Sequence, residues 1–138
     1  MFTTKGRYAL QVLIDLAEYN NGGYIPLKAV AERQQISLKY LEQIMMLLNK
    51  ANLIDGVAGK GGGYRLNRDP DEYVVGDILR VTERDMSTVT CFGCKSEACT
   101  RTEECRTHPI WEKYQELTNQ YFDSITIADL LKVSPRKE

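Results

Sequence analysis

The stretch from Pro26 to Leu66 limits the possible folds more than any other part of the chain. Two short amphipathic segments meet across only three residues, Gln35-Ile36-Ser37, and a glycine-dense turn follows them. In the first segment Leu27, Val30 and Ala31 recur at helical spacing, Pro26 suits the opening turn, and the pattern stops near Gln34. Ser37 is an N-cap candidate for the second segment. There Leu38, Leu41, Ile44, Met45 and Leu48 form an apolar stripe that runs to about residue 51. A longer helix precedes the pair, from Thr4 to about residue 20, with Thr3 or Thr4 as its cap. Tyr8, Val12, Leu13, Leu16 and Ala17 share one face, and Asn20-Asn21-Gly22-Gly23 supplies the closing turn. Residues 53–58 and 64–66 read as two strands across Gly59-Lys60-Gly61-Gly62-Gly63, where four glycines in five residues favour a turn over regular structure. Two helices joined by a tight turn and followed by a hairpin predict a winged helix-turn-helix.

Beyond the hairpin, residues 77–84 predict a fourth short helix through Ile78, Leu79 and Val81. Pro109 then opens a long helix to about residue 124. Its apolar residues Ile110, Tyr114, Leu117, Tyr121 and Ile125 follow one another at spacings of four, three, four and four. Such a stripe packs against another helix, a second copy of itself included. Thr126-Ile-Ala-Asp129 is a capping box for a last helical turn carrying Leu130 and Leu131, and residues 134–138 read as a frayed tail. The expected fold class is therefore mainly α: a winged helix-turn-helix with a small two-stranded wing, plus a long C-terminal dimerisation helix. The expected division is a DNA-binding domain over residues 1–84, a Cys/His loop over 85–108, and the dimerisation helix with its terminal turn over 109–138.

Bulk properties exclude several classes. The 138 residues suffice for one domain with a core, and 43% hydrophobic with 27% charged residues is ordinary for a soluble protein. No apolar run is long enough to span a membrane, and the first residues lack the apolar core of a secretory signal, so a cytoplasmic protein without membrane partner is expected. The net charge of −1 advertises no basic field. Nucleic-acid binding would have to rely on a small basic face, used twice in a dimer.

In a helix-turn-helix, side chains at the start of the second helix reach base edges. Here these are Ser37, Lys39, Tyr40, Glu42 and Gln43, with Lys5 on the leading helix as a further DNA candidate. Lys can meet guanine acceptors or phosphate, Gln can pair with adenine, and Glu can accept from the cytosine amino group. An ordinary polar helix face would carry similar residues; the tight turn before and the wing after favour DNA. At the wing, Lys60 and Gly61 suit contact with the sugar-phosphate chain. The turn lacks both the residue order and the following helix of a nucleotide-binding loop.

All four cysteines and the only histidine lie between Cys91 and His108, at Cys91, Cys94, Cys99, Cys105 and His108. Thiolates and an imidazole crowded together point to a metal or iron–sulfur site. Closed structural zinc would accept four of the five, but the intervals do not form two separated knuckles. The wider steps suit a loop around an iron–sulfur cluster, and a bare thiol switch is a third option. The only histidine falls in this loop, so no residue is left for Ser-His or Cys-His nucleophilic chemistry. Neither an enzyme nor a small-molecule substrate is expected.

Five stretches, in this order, carry a family resemblance. They are Thr4-Lys-Gly-Arg-Tyr-Ala-Leu10, Ile36-Ser-Leu-Lys-Tyr-Leu-Glu-Gln43, Gly61-Gly-Gly-Tyr64, the Cys99-x5-Cys105-x2-His108 spacing, and Asp123-Ser-Ile-Thr-Ile-Ala-Asp-Leu130. Over nearly its whole length the chain resembles the Rrf-two family of bacterial winged-helix transcription regulators, above all its iron–sulfur cluster regulator branch. The resemblance implies a homodimer held by the helix after Pro109, with two recognition helices on a palindromic operator in double-stranded DNA. It also implies a 2Fe–2S cluster on three cysteines and one histidine, whose occupancy alters operator binding. Cys99, Cys105 and His108 match directly; Cys91 is the expected first ligand, with Cys94 the alternative or a fourth thiolate, and zinc the alternative metal. A nitric-oxide-sensing branch uses an N-terminal aspartate where this chain has Arg7, and a cysteine-metabolism branch lacks the cysteine cluster. The wing departs from the iron–sulfur branch at Ala58 and Lys60, where that branch has Arg and Pro. Glu42 is retained at a position that, in the family, helps separate two operator classes.

Overall fold

A computed structural model describes residues 2–83, 86 and 104–134. Helix α1 spans Thr4–Glu18, α2 Leu27–Gln34 and α3 Leu38–Lys50. Strands β1 (Ile54–Val57) and β2 (Gly63–Leu66) form an antiparallel hairpin, with Ile54 opposite Leu66 and Val57 opposite Gly63. A 3-10 turn at Pro70–Glu72 leads to α4 (Val75–Thr82). Helix α5 covers His108–Asp123 and α6 Ile127–Leu131. The fold is the mainly helical winged helix that the spacing predicts.

The turn between α2 and α3 is tight because each of its residues has a separate task. Gln35 takes the left-handed conformation (φ 54°, ψ 43°) and ends α2. Ile36 is buried, and its N–H donates to the Ala31 carbonyl. Ser37 caps α3 by accepting from the Tyr40 N–H at 3.2 Å. Pro26 differs from expectation. It sits at the N-cap of α2, with its carbonyl accepting from the Ala29 and Val30 N–H groups, because its ψ of 137° is extended.

The core lies where α1, α3, α4 and the wing converge. Val12, Leu13 and Leu16 meet Leu41, Ile44, Met45 and Leu48 around Tyr73 and Ile78, all within 1% of full burial. The wing is fixed to the body by a two-way backbone pair: Ile25 N–H donates to the Tyr64 carbonyl at 2.8 Å and Tyr64 N–H to the Ile25 carbonyl at 2.9 Å. That pairing requires glycine next door. Gly63 has φ +151°, and any Cβ there would run into the Ile25 carbonyl.

The start of α4 lies two residues earlier than the sequence pattern predicts. Val75 N–H donates to the Ile125 carbonyl at 2.8 Å, and Ile127 N–H donates to the Tyr73 carbonyl at 3.0 Å. The segment after α5 thus returns to the start of α4, and Ile127 enters the core with no exposed surface. Arg80 reinforces the junction with a two-pronged pair to Asp123, at 2.8 and 3.0 Å. Helix α5 itself has no buried residue and begins at His108, one residue before Pro109. Residues 135–138 of the tail expected at 134–138 lie outside the described residues, as does most of the expected loop at 85–108.

Candidate DNA-reading face and cysteine loop

Helix α3 buries Leu41, Ile44, Met45 and Leu48 and turns the other side to solvent. On that open side lie Lys39, Glu42 and Gln43, all exposed, with exposed Ser37 at the head of the helix. Four of the five residues expected from the sequence at the start of α3 are therefore brought together on one accessible strip. Tyr40 differs. It is half-buried, and its ring meets the Tyr8 ring of α1 edge-on at 6.0 Å, so it braces the head of α3. Lys5 is half-buried in the first turn of α1.

At the wing tip Lys60 and Gly61 are exposed, and Gly61 has φ +79°. The open side of α3 continues toward the wing. Asn49 borders a shallow cleft whose other walls are Gly56, Val57, Ala58 and Tyr64. The expected set omitted Met46, Asn49 and Lys50, which are exposed on α3. Met46 lies four and three residues beyond Glu42 and Gln43, and Asn49 and Lys50 lie three and four beyond Met46; that helical spacing was the available signal.

Two buried carboxylates hold this reading head. Asp15 of α1 has no exposed surface and accepts from Arg33 Nε (3.0 Å), Arg33 Nη2 (2.7 Å) and Gln34 Nε2 (2.9 Å). The hydrogen bond and the charge of Asp15 raise the already high pKa of the Arg33 guanidinium. This pair clamps α1 to α2. Glu83, 7% exposed at the end of α4, accepts from the Thr3 N–H at 2.8 Å and the Thr3 hydroxyl at 2.6 Å. A carboxylate at a helix start also opposes the helix dipole. Neither link follows from local spacing.

Of the five soft ligands, Cys105 and His108 fall among the described residues, while Cys91, Cys94 and Cys99 lie outside them. Cys105 is half-buried, and its Sγ is 3.3 Å from the Thr107 hydroxyl. His108 N–H donates to the Cys105 carbonyl at 3.4 Å, so both residues occupy the turn that begins α5. The His108 side chain is 18% exposed, with Nε2 3.4 Å from Glu112 Oε2 one helical turn on. A thiol and an imidazole three residues apart, half-buried at a helix start, form a donor set suited to iron or zinc. From that start α5 presents Ile110, Tyr114, Leu117 and Tyr121 to solvent, each more than half exposed.

A capped recognition helix open to solvent, a glycine-tipped wing and a trailing amphipathic helix define a winged-helix transcriptional regulator. The model of the Rrf2 family, described as iron-dependent transcriptional regulators, matches residues 2–133. The chain belongs to the Rrf2 family. It is 38% identical over 129 residues to the HTH-type transcriptional regulator IscR of Aliivibrio salmonicida, covering 94% of this chain and 76% of that protein. Among solved structures, IscR of T. potens is similar at 39% identity and a TM-score of 0.72, covering 96% of this chain and 86% of that one. CymR, the global cysteine regulator of B. subtilis, is similar at 31% identity and a TM-score of 0.79, with 98% of each chain covered. The chain is thus a DNA-binding regulator, and these relatives are named as regulators rather than enzymes. Among the described residues no helix is long and apolar enough to cross a membrane.

Proposed function

We propose that the chain works in the cytoplasm as a homodimer on a palindromic operator, and that an iron–sulfur cluster of the 2Fe–2S type modulates its DNA binding. In this reading residues 1–84 bind DNA, 85–108 carry the cluster, and 109–138 dimerise and close back on the core. Ser37, Lys39, Glu42 and Gln43 meet base edges and phosphates, Tyr40 positions them, and Lys5, Lys60 and Gly61 hold the sugar-phosphate chain.

Cys91, Cys99, Cys105 and His108 would hold the cluster, with Cys94 the alternative first ligand. Bound there, it supplies an oxidation-sensitive centre. The observation that carries the reading is the position of Cys105 and His108 on the opening turn of α5. Whatever fixes these two side chains also fixes the start of the helix whose Ile110, Tyr114, Leu117 and Tyr121 are open to a second copy. A ligand preferring one arrangement of that turn would shift the dimer toward it, and with it the spacing of the two α3 helices.

Anaerobic purification followed by iron, sulfide and zinc analysis tests the proposal, together with Cys91→Ser, Cys94→Ser and His108→Ala. The expected result is coloured protein, lost in His108→Ala and in one of the first two, with salt-dependent binding to the chain's own promoter fragment. Colourless protein with stoichiometric zinc would overturn the cluster assignment. Absence of any salt-dependent shift would overturn DNA recognition.

A further inference from the structure

The strip of α3 assigned above to DNA contains one side chain that neither a phosphate nor a base-edge donor or acceptor can match. Met46 is 66% exposed, whereas its neighbour Met45 is wholly buried. With 3.6 residues per turn, Met46 lies almost directly in line with Lys39, seven residues earlier, and opposite the buried Leu41–Leu48 stripe. Lys39, Glu42, Gln43 and Met46 therefore follow at steps of three, one and three along the middle of the open face. A lone apolar side chain elsewhere on a surface needs no explanation. In the middle of a base-reading strip its apolar surface must be matched by something in the groove.

The major groove offers one apolar feature, the C5-methyl group of a pyrimidine: thymine, or cytosine methylated at C5. A thioether is flexible and polarisable and packs well on such a group. We propose that Met46 reads a pyrimidine C5-methyl in the operator, next to the base met by Gln43. This rests on α3 being the recognition helix. The two readings fail in different ways.

The test uses the full-length protein and operators selected from a randomised duplex pool. Each thymine is replaced by deoxyuridine, one symmetric pair at a time, and each cytosine by 5-methylcytosine. Removing one methyl group from the contact weakens binding about fourfold in each half-site, from about 0.8 kcal/mol per buried methyl-sized group. The expected result is one thymine position per half-site with that loss, or one cytosine position with the matching gain. That sensitivity disappears in Met46→Ser and survives in Met46→Leu. The position tells thymine from methylcytosine. A flat methyl profile, or the same profile in Met46→Ser, would overturn the proposal. Lys39→Ala and Gln43→Ala separate the two readings. If they weaken binding while Met46→Ser does not, only methyl reading is lost. If they too leave binding unchanged, α3 is not the recognition helix.

Discussion

The clamp between α1 and α2 makes a prediction whose size follows from an asymmetry of burial. The Asp15 side chain has no exposed surface, while that of Arg33 is 28% exposed and stacks at 3.9 Å on the Tyr19 ring. Removing Asp15 leaves a guanidinium that can turn to water. Removing Arg33 leaves a carboxylate that cannot, with only Gln34 Nε2 still donating to it. Arg33→Met, which keeps most of the apolar stem, should therefore cost about 3–5 kcal/mol, the usual loss when one partner of a buried pair goes. Asp15→Asn, close to isosteric, should cost only about 1–2 kcal/mol for its lost charge-assisted bonds. In the double variant no buried charge remains, so it should be more stable than Arg33→Met alone by about 1–2 kcal/mol. Urea unfolding followed by circular dichroism, at one protein concentration, reads these values directly. With a slope of about 2 kcal/mol per molar urea, the midpoint falls by about 1.5–2.5 M in Arg33→Met and by about 0.5–1 M in Asp15→Asn. If Arg33→Met is the milder variant, or if the double variant shows the plain sum of both losses, the burial argument is wrong.

Three further outcomes follow from other contacts. Glu83→Ala removes the acceptor for both Thr3 groups and should cost about 1–2 kcal/mol, with faster amide exchange at Gly6 and Arg7. Gly6→Ala should mimic it, because a Cβ at Gly6 runs into the Glu83 carboxylate. Gly63→Ala should push β2 off the Ile25 carbonyl at a cost of about 1–3 kcal/mol and weaken DNA binding by displacing the wing, read as a titration shift with the secondary structure retained. The Asp129 carboxyl lies below its ordinary pKa, because the Thr126 backbone N–H and then the Thr126 hydroxyl stabilise its ionised form. A carboxyl lowered by folding contributes stability above its unfolded value near 4 and loses it as pH falls through the folded one. Acid should therefore loosen α6 and expose Ile127, visible in Ile127 methyl NMR signals, and Asp129→Asn should flatten that pH response.

What the sequence reveals here depends on the range of each interaction. The periodicity of Val12, Leu13 and Leu16, and of Leu41, Ile44, Met45 and Leu48, is a local signal, and all seven are core residues. Ser37 as the α3 cap and Thr126 with Asp129 as the α6 box were readable for the same reason, since the partners lie three residues apart. Links across the fold were not readable. Asp15 sits beside apolar Leu16 and looks like an error in the stripe until Arg33 and Gln34 are placed against it. Glu83 and Thr3 are 80 residues apart. The start of α4 at Val75 is set by a carbonyl at Ile125, so no pattern around Asp77 could locate it. The position of Tyr40 in the helix points to a base contact; its packing on the Tyr8 ring, from another helix, is not legible locally. In the cysteine segment, residue type and spacing point to a soft-ligand site, and of its members only Cys105 and His108 have described positions.

The contacts around α5 explain why ordering near His108 would matter to the rest of the molecule. The C-terminal end of α5 is held fast: Asp123 pairs with Arg80, Phe122 meets the Phe2 ring edge-on at 5.2 Å, and the following Ile125 carbonyl accepts from Val75. The other end carries Cys105 and His108, and no residue along the helix is buried. A helix held at its C-terminal end and unburied along its length takes its position in part from what engages its opening turn. The segment joining α4 to that opening turn leaves α4 at Glu83, the residue tied to the cap of α1. Helix α1 in turn braces both helix-turn-helix elements, through Asp15 on α2 and Tyr8 on α3. The two attachment points of the cysteine segment are thus the opening turn of the exposed helix and the element that supports the reading head. Drawing soft ligands together within that segment would pull these points toward a fixed relation. In the proposed reading, a bound cluster would in this way bias both half-site spacing and the setting of α3.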